Sequence, residues 1–148
     1  MTSRPTFVRL AAALALAAGF AAAHADDATA LKAAAKEPGA VVSASGLVYK
    51  SIKEGTGANP KATDSVRASY KGMLTNGTKF DASADHGGPI SFPLDRVIPC
   101  WTEGLQKMKV GGKAKLTCPS AIAYRDRDMG PIPPNSTLVF EVELVGIN

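Results

Sequence analysis

The 148-residue chain predicts an α+β domain: an antiparallel sheet of about five strands with one dry face, and one short helix covering that face. Three observations predict it. Segments at Ser65–Leu74, Lys113–Cys118 and Thr137–Ile147 alternate apolar and polar residues with period 2, the pattern of a strand with one wet face. Asn76-Gly77 is a strong hairpin turn signal between two candidate strands. Within the strand-rich region one stretch has helical spacing: Trp101, Leu105 and Met108 fall at i, i+4 and i+7, one face of about two turns.

The elements follow in order. Leu47 to Ile52 is a strand candidate, ended by Gly55 and Gly57. From Ser65, Val66, Ala68, Tyr70 and Gly72 share one face, and Arg67, Ser69 and Lys71 the other. After the Asn76-Gly77 turn, Thr78-Lys79-Phe80 begins the return strand. Ala82 to Pro89 is polar and Gly-rich, a loop, and Ile90 to Leu94 is extended. Gly111-Gly112 stops the helix. In the next strand Ala114, Leu116 and Cys118 face one way, Lys113, Lys115 and Thr117 the other. Pro119 to Asn135 is a long loop holding four prolines; loops of that length in a compact domain tend to be functional. In the last strand Leu138, Phe140, Val142 and Leu144 share a face opposite Glu141 and Glu143.

The N-terminus reads as an export signal over residues 1–25. Arg4 and Arg9 precede an Ala-rich apolar run from Leu10 to Ala23, and Ala23-His24-Ala25 has the small residues of a cleavage site. The run is about 14 residues, and a membrane span needs about 20. Stable membrane insertion after cleavage is therefore not expected. Residues 26–45 read as a flexible arm in which Thr29 to Lys36 has two helical turns, short for an isolated helix. Residues 46–148 form the domain. Cleavage leaves 15 basic against 13 acidic residues, too mild and too scattered for a nucleic-acid surface. Export places Cys100 and Cys118 in an oxidising compartment, where a disulfide is the expected state; two buried free thiols are the alternative. Their spacing matches no zinc pattern.

Several spaced motifs resemble the FKBP-type peptidyl-prolyl cis/trans isomerases. They are Tyr70-Lys71-Gly72 with Asn76-Gly77 and Lys79-Phe80-Asp81; Val97-Ile98 with Trp101 and Glu103-Gly104; Met108 with Val110-Gly111; and Ile132-Pro133-Pro134 before Thr137-Leu138-Val139-Phe140. The export signal and cysteine pair are similar to the bacterial secreted branch, which includes macrophage infectivity potentiator-like proteins. The long helical dimerisation segment of larger members is not matched, and a monomer is expected. The resemblance implies a twisted sheet wrapped around the helix, with a pocket between them. Trp101 would be its floor. Tyr70, Phe80, Asp81, Tyr124 and Phe140 would act on the substrate, and Ile90, Phe92, Val97, Ile98 and Ile132 would bind it. The Tyr124 hydroxyl and the Ile98 N–H would donate to substrate carbonyls. Asp81 read without the resemblance is a turn-capping carboxylate.

The implied activity is rotation of X–Pro bonds in exported proteins, in the periplasm or outside the cell. No bond is made or broken, so no metal, nucleophile or cofactor is needed. Implied partners are proline-containing polypeptides, with FK506- and rapamycin-type macrolides as inhibitors. The alternative is a holdase that grips proline segments with little turnover, motivated by the charged run Arg125-Asp126-Arg127-Asp128. The chain departs from well-known members at five places. Ile90 stands where they have an aromatic, Cys100 for a Gly, Cys118 at a strand position that is usually apolar there, and Arg125 for a Gly after Tyr124. His86 stands where some members place an arginine that pairs with the aspartate; it is read as an exposed loop residue, with pairing to Asp81 as the alternative.

Overall fold

The computed structural model describes residues 18–148. Arg4, Arg9 and the start of the apolar run lie outside the described residues. Seven strands and two helices follow in order: α1 (Ala18–Ala35), β1 (Ala40–Val42), β2 (Val48–Lys53), β3 (Ser65–Leu74), β4 (Lys79–Ala82), β5 (Ile90–Pro93), α2 (Pro99–Gln106), β6 (Lys113–Cys118) and β7 (Leu138–Ile147). Short 3-10 turns lie at Ser83–His86, Leu94–Arg96 and Ser120–Ile122. The sheet is antiparallel, with order β1-β2-β6-β7-β3-β4, and β5 also pairs with β3. The expected α+β class holds, with more strands than the five read from the sequence. Of the seven, β2 to β7 fall on segments read as strand-like or extended, and β1, the one that no reading covered, has three residues, too short for periodicity to reveal.

Alternation sets the two faces. Val66 and Ala68 on β3, Ala114, Leu116 and Cys118 on β6, and Leu138, Phe140, Val142 and Leu144 on β7 are all buried. They form one core with Trp101, Leu105 and Met108. The opposite face carries a charge ladder: Lys113 lies across from Glu143, and Glu141 lies between Lys115 and Lys71, pairings that favour this register.

Helix α2 starts with Pro99 at its first turn, where a missing N–H costs nothing. It lies so close to β6 that a Cβ on Gly104 would sit 2.8 Å from a Leu116 methyl. A disulfide joins Cys100 on α2 to Cys118 at the end of β6, with the Cα atoms 5.9 Å apart, inside the usual range. Both cysteines are fully buried.

The segment read as an arm has its own contacts with the sheet. Asp27 accepts hydrogen bonds from the Thr75 hydroxyl (2.7 Å) and the Thr137 N–H (3.3 Å). Glu37 pairs with Lys50 (3.2 Å) and Lys115 (2.9 Å). Ala34 and Thr117 are buried, so this end of the supposedly wet face is covered. An Ala-rich stretch favours helix, and these contacts supply what an isolated two-turn helix lacks.

Candidate functional site

The concave side of the sheet and α2 enclose an open cavity of about 640 Å³. Strand alternation brings Tyr70 from β3 and Phe140 from β7 to its floor, where both rings meet Trp101 edge-on. Their centroids lie 5.0 Å and 5.2 Å from that of the indole. Phe92 from β5 lies 5.3 Å from it, tilted by 50°. Phe80 meets Phe140 edge-on at 5.6 Å. Such edge-to-face contacts suit the ring quadrupoles. Gly72 makes room for this cluster: a Cβ there would come within 2.6 Å of Phe80 and 2.9 Å of Phe140.

Phe80 and Asp81 are neighbours in sequence, yet both line the cavity. In a regular strand they would point to opposite faces. The β3–β4 register shifts between Gly72 and Met73, with Asp81 opposite Gly72 and Lys79 opposite Met73. Phe80 is the extra residue of a bulge, and bulges re-aim side chains in this way.

Asp81 is held from three sides. Its Oδ2 accepts the Tyr70 hydroxyl at 2.5 Å, its Oδ1 accepts the Ala82 N–H at 2.9 Å, and His86 Nε2 lies 2.8 Å from Oδ1. Burial pushes the carboxyl up, but these partners outweigh it and hold the group below its ordinary value. Burial, aided by the Asp81 hydrogen bond, pushes the Tyr70 hydroxyl well above the usual tyrosine range. Burial and the Asp81 charge also raise Tyr124. Both tyrosines therefore remain hydroxyl donors at neutral pH. His86 is 56% exposed and pairs with Asp81 at once, so the loop reading and the pairing reading both describe it.

Of the residues expected from the sequence, Tyr70, Phe80, Asp81, Ile90, Phe92, Val97, Ile98, Trp101, Tyr124 and Phe140 line the cavity. Ile132 does not; it is buried in the hydrophobic core. Neither the Tyr124 hydroxyl nor the Ile98 N–H is hydrogen-bonded within the described residues. The Trp101 indole N–H is buried without a partner among them. Arg96, Pro99, Ala123, Arg125 and Arg127 also line the cavity. Arg96 went unseen in the sequence, although it adjoins the Val97-Ile98 motif.

The loop after β6 is set by backbone contacts. Arg125 has φ 56° and Asn135 has φ 59°, a left-handed conformation that favours glycine. Arg125 thus keeps the backbone shape that a glycine would adopt without strain. Its N–H donates to Ser120 O (3.0 Å), and its carbonyl accepts from Asn135 N (2.7 Å).

Fold and site together define a binding domain in which an antiparallel sheet curls an aromatic pocket around one helix. The family model for the FKBP-type peptidyl-prolyl cis-trans isomerases matches residues 56–145, and the chain belongs to that family. It is similar to the FKBP-type isomerase FkpA of Aeromonas hydrophila, 55% identical over 117 residues, 79% of this chain and 44% of that protein. The crystal structure of FkpA from Escherichia coli superimposes with TM-score 0.83 at 47% identity, covering 86% of this chain and 60% of that one. A peptidyl-prolyl cis-trans isomerase structure from Pseudomonas syringae pv. tomato aligns over 100% of this chain and 99% of its own, with TM-score 0.79 and 34% identity. The chain spans less than half the length of the FkpA relative from Aeromonas. Among the described residues, no helix is long and apolar enough to cross a membrane.

Proposed function

We propose that this chain is a peptidyl-prolyl cis/trans isomerase acting on exported proteins, with residues 1–25 as the export signal. The observation that carries the reading is the aromatic box of Tyr70, Phe92 and Phe140 around Trp101, all within 5.3 Å between centroids.

Rotation about a peptide bond has a barrier of about 18–20 kcal/mol because resonance is lost. The twisted transition state carries less charge on its carbonyl than the planar ground state. An apolar box that takes the proline ring out of water favours the twisted form. The two donors left free, the Tyr124 hydroxyl and the Ile98 N–H, belong to residues that line the cavity, and in this reading they hold flanking carbonyls. A thousandfold acceleration needs about 4 kcal/mol of selective stabilisation, within reach of desolvation and two hydrogen bonds. We infer that the same box takes FK506- and rapamycin-type macrolides and that the domain acts as a monomer.

The test is isomerisation of a short Leu-Pro peptide. The expected result is a rate well above buffer, abolished by an FK506-type macrolide, and reduced about tenfold or more in Phe80→Ala and Tyr124→Phe. A wild-type rate equal to that of buffer overturns the proposal.

A further inference from the structure

Three arginines border the proline cavity: Arg96 on the turn after β5, and Arg125 and Arg127 on the loop after Tyr124. All three are exposed. No carboxylate lies within ion-pair distance of any of them among the described residues. The Arg125 Nε–H donates to the Ala121 carbonyl at 3.3 Å, which leaves the rest of its guanidinium free. One carboxylate, Asp81, lines the cavity, and it is occupied by Tyr70, His86 and the Ala82 N–H. Asp95, Asp126 and Asp128 adjoin these arginines in sequence, but none of the three lines the cavity, and Asp128 accepts from the Gly130 N–H at 3.0 Å. The floor of the cavity is thus apolar, and the charged side chains that line its rim are three guanidiniums against the single carboxylate of Asp81.

We propose that Arg96, Arg125 and Arg127 select proline segments with acidic neighbours. This rests on the isomerase reading and names its substrate class: polypeptides carrying Asp or Glu beside the proline. The proline ring occupies the aromatic box, and the flanking side chains lie at its mouth, where the guanidiniums stand. Guanidinium suits this role because its forked N–H groups match a carboxylate. Exposed pairs are individually weak, so the preference comes from the sum of three like charges around one mouth.

The experiment uses the full mature domain and peptides that differ only beside the proline: Glu, Leu or Lys before it in one series, after it in another. At low salt, kcat/KM for Glu should exceed that for Lys by roughly tenfold in at least one series. The ratio should fall at least threefold in 1 M salt, where the screening length is about 3 Å, and in the double variant Arg96→Gln/Arg127→Gln. Arg127→Glu should push it further toward Lys. Normalising each rate to the Leu peptide of the same protein removes any change in folded fraction. A Glu-to-Lys ratio below three in both series, or one that survives the double substitution, overturns the inference. If no peptide is turned over, the isomerase reading fails by itself; titration of Trp101 fluorescence with the same peptides then tests the rim by affinity, under the same threshold.

Discussion

Helix α2 and the loop from Pro119 to Asn135 line the same cavity and are held in unlike ways. The helix is fixed by packing. Cys100, Trp101 and Leu105 are buried, Gly104 leaves no room against Leu116, and the disulfide ties the helix to β6. The loop is fixed by a few backbone hydrogen bonds and holds Arg125 and Asn135 at positive φ. Ile132 anchors it in the core, while Arg125 and Arg127 stand in solvent. The division matches two tasks. A floor that must fit one rigid ring gains from close packing, which resists deformation. A mouth that meets varied neighbours is better built from exposed charges on a loop.

The largest effect should come from the helix side. Opening the disulfide, by reductant or by Cys100→Ser/Cys118→Ser, frees a loop with sequence separation 18. Loops of that size lose on the order of 3 kcal/mol on reduction. Urea unfolding should show a clear fall in the midpoint, together with reduced affinity for the macrolide because Trp101 adjoins Cys100. An unchanged midpoint would mean that packing alone fixes α2, and the contrast with the loop would weaken.

The helix side was also the more legible one in the sequence. Trp101, Leu105 and Met108 carried a helical period, and β3, β6 and β7 alternated cleanly, because each buries one face on one core. Local devices were harder to read. The bulge that turns both Phe80 and Asp81 to the cavity is a register shift against β3, and strand pairing has no local signature there. Arg96 reaches the cavity through a three-residue turn with no period at all. Ile132 fits a pocket wall and a core equally well by residue type; only the chain path, with Met129 N–H donating to the Ile132 carbonyl at 3.1 Å, separates the two. The covering of the sheet by the N-terminal segment depends on Asp27 and Glu37 meeting partners far along the chain, and no sequence window contains both ends of such a contact.

On the loop side the expected effects are smaller and of opposite sign. A non-glycine residue in the left-handed region is strained by roughly 1–2 kcal/mol, and glycine returns about 0.5–1 kcal/mol of that as extra chain entropy. Arg125→Gly should therefore stabilise the fold by about 0.5–1 kcal/mol, read as a raised thermal midpoint. It should also reduce the acidic preference, since one guanidinium leaves the rim. A loss of stability would show that Arg125 contributes contacts outweighing its backbone strain, and that the loop is more tightly built than its hydrogen bonds indicate.

The smallest effect concerns the Tyr70–Asp81–His86 chain, which joins sheet to loop. The Asp81 carboxyl is held below its ordinary value of 3.8. A group depressed in the folded state contributes stability above its unfolded value and loses it as pH falls through the folded one. The contribution is small, because the side chain is 39% exposed and solvent screens it. Denaturant midpoints measured between about pH 6 and pH 2 should fall more steeply for the wild type than for Asp81→Asn, with the difference confined to the region below about pH 4. At the alkaline end Tyr70 and Tyr124 are raised, so their contribution is intact below pH 10 and declines only as pH rises through the higher folded values. Parallel acid limbs in the two proteins would show that the hydroxyl and imidazole partners orient Asp81 without stabilising it. The pocket edge would then owe its position to the β4 bulge alone.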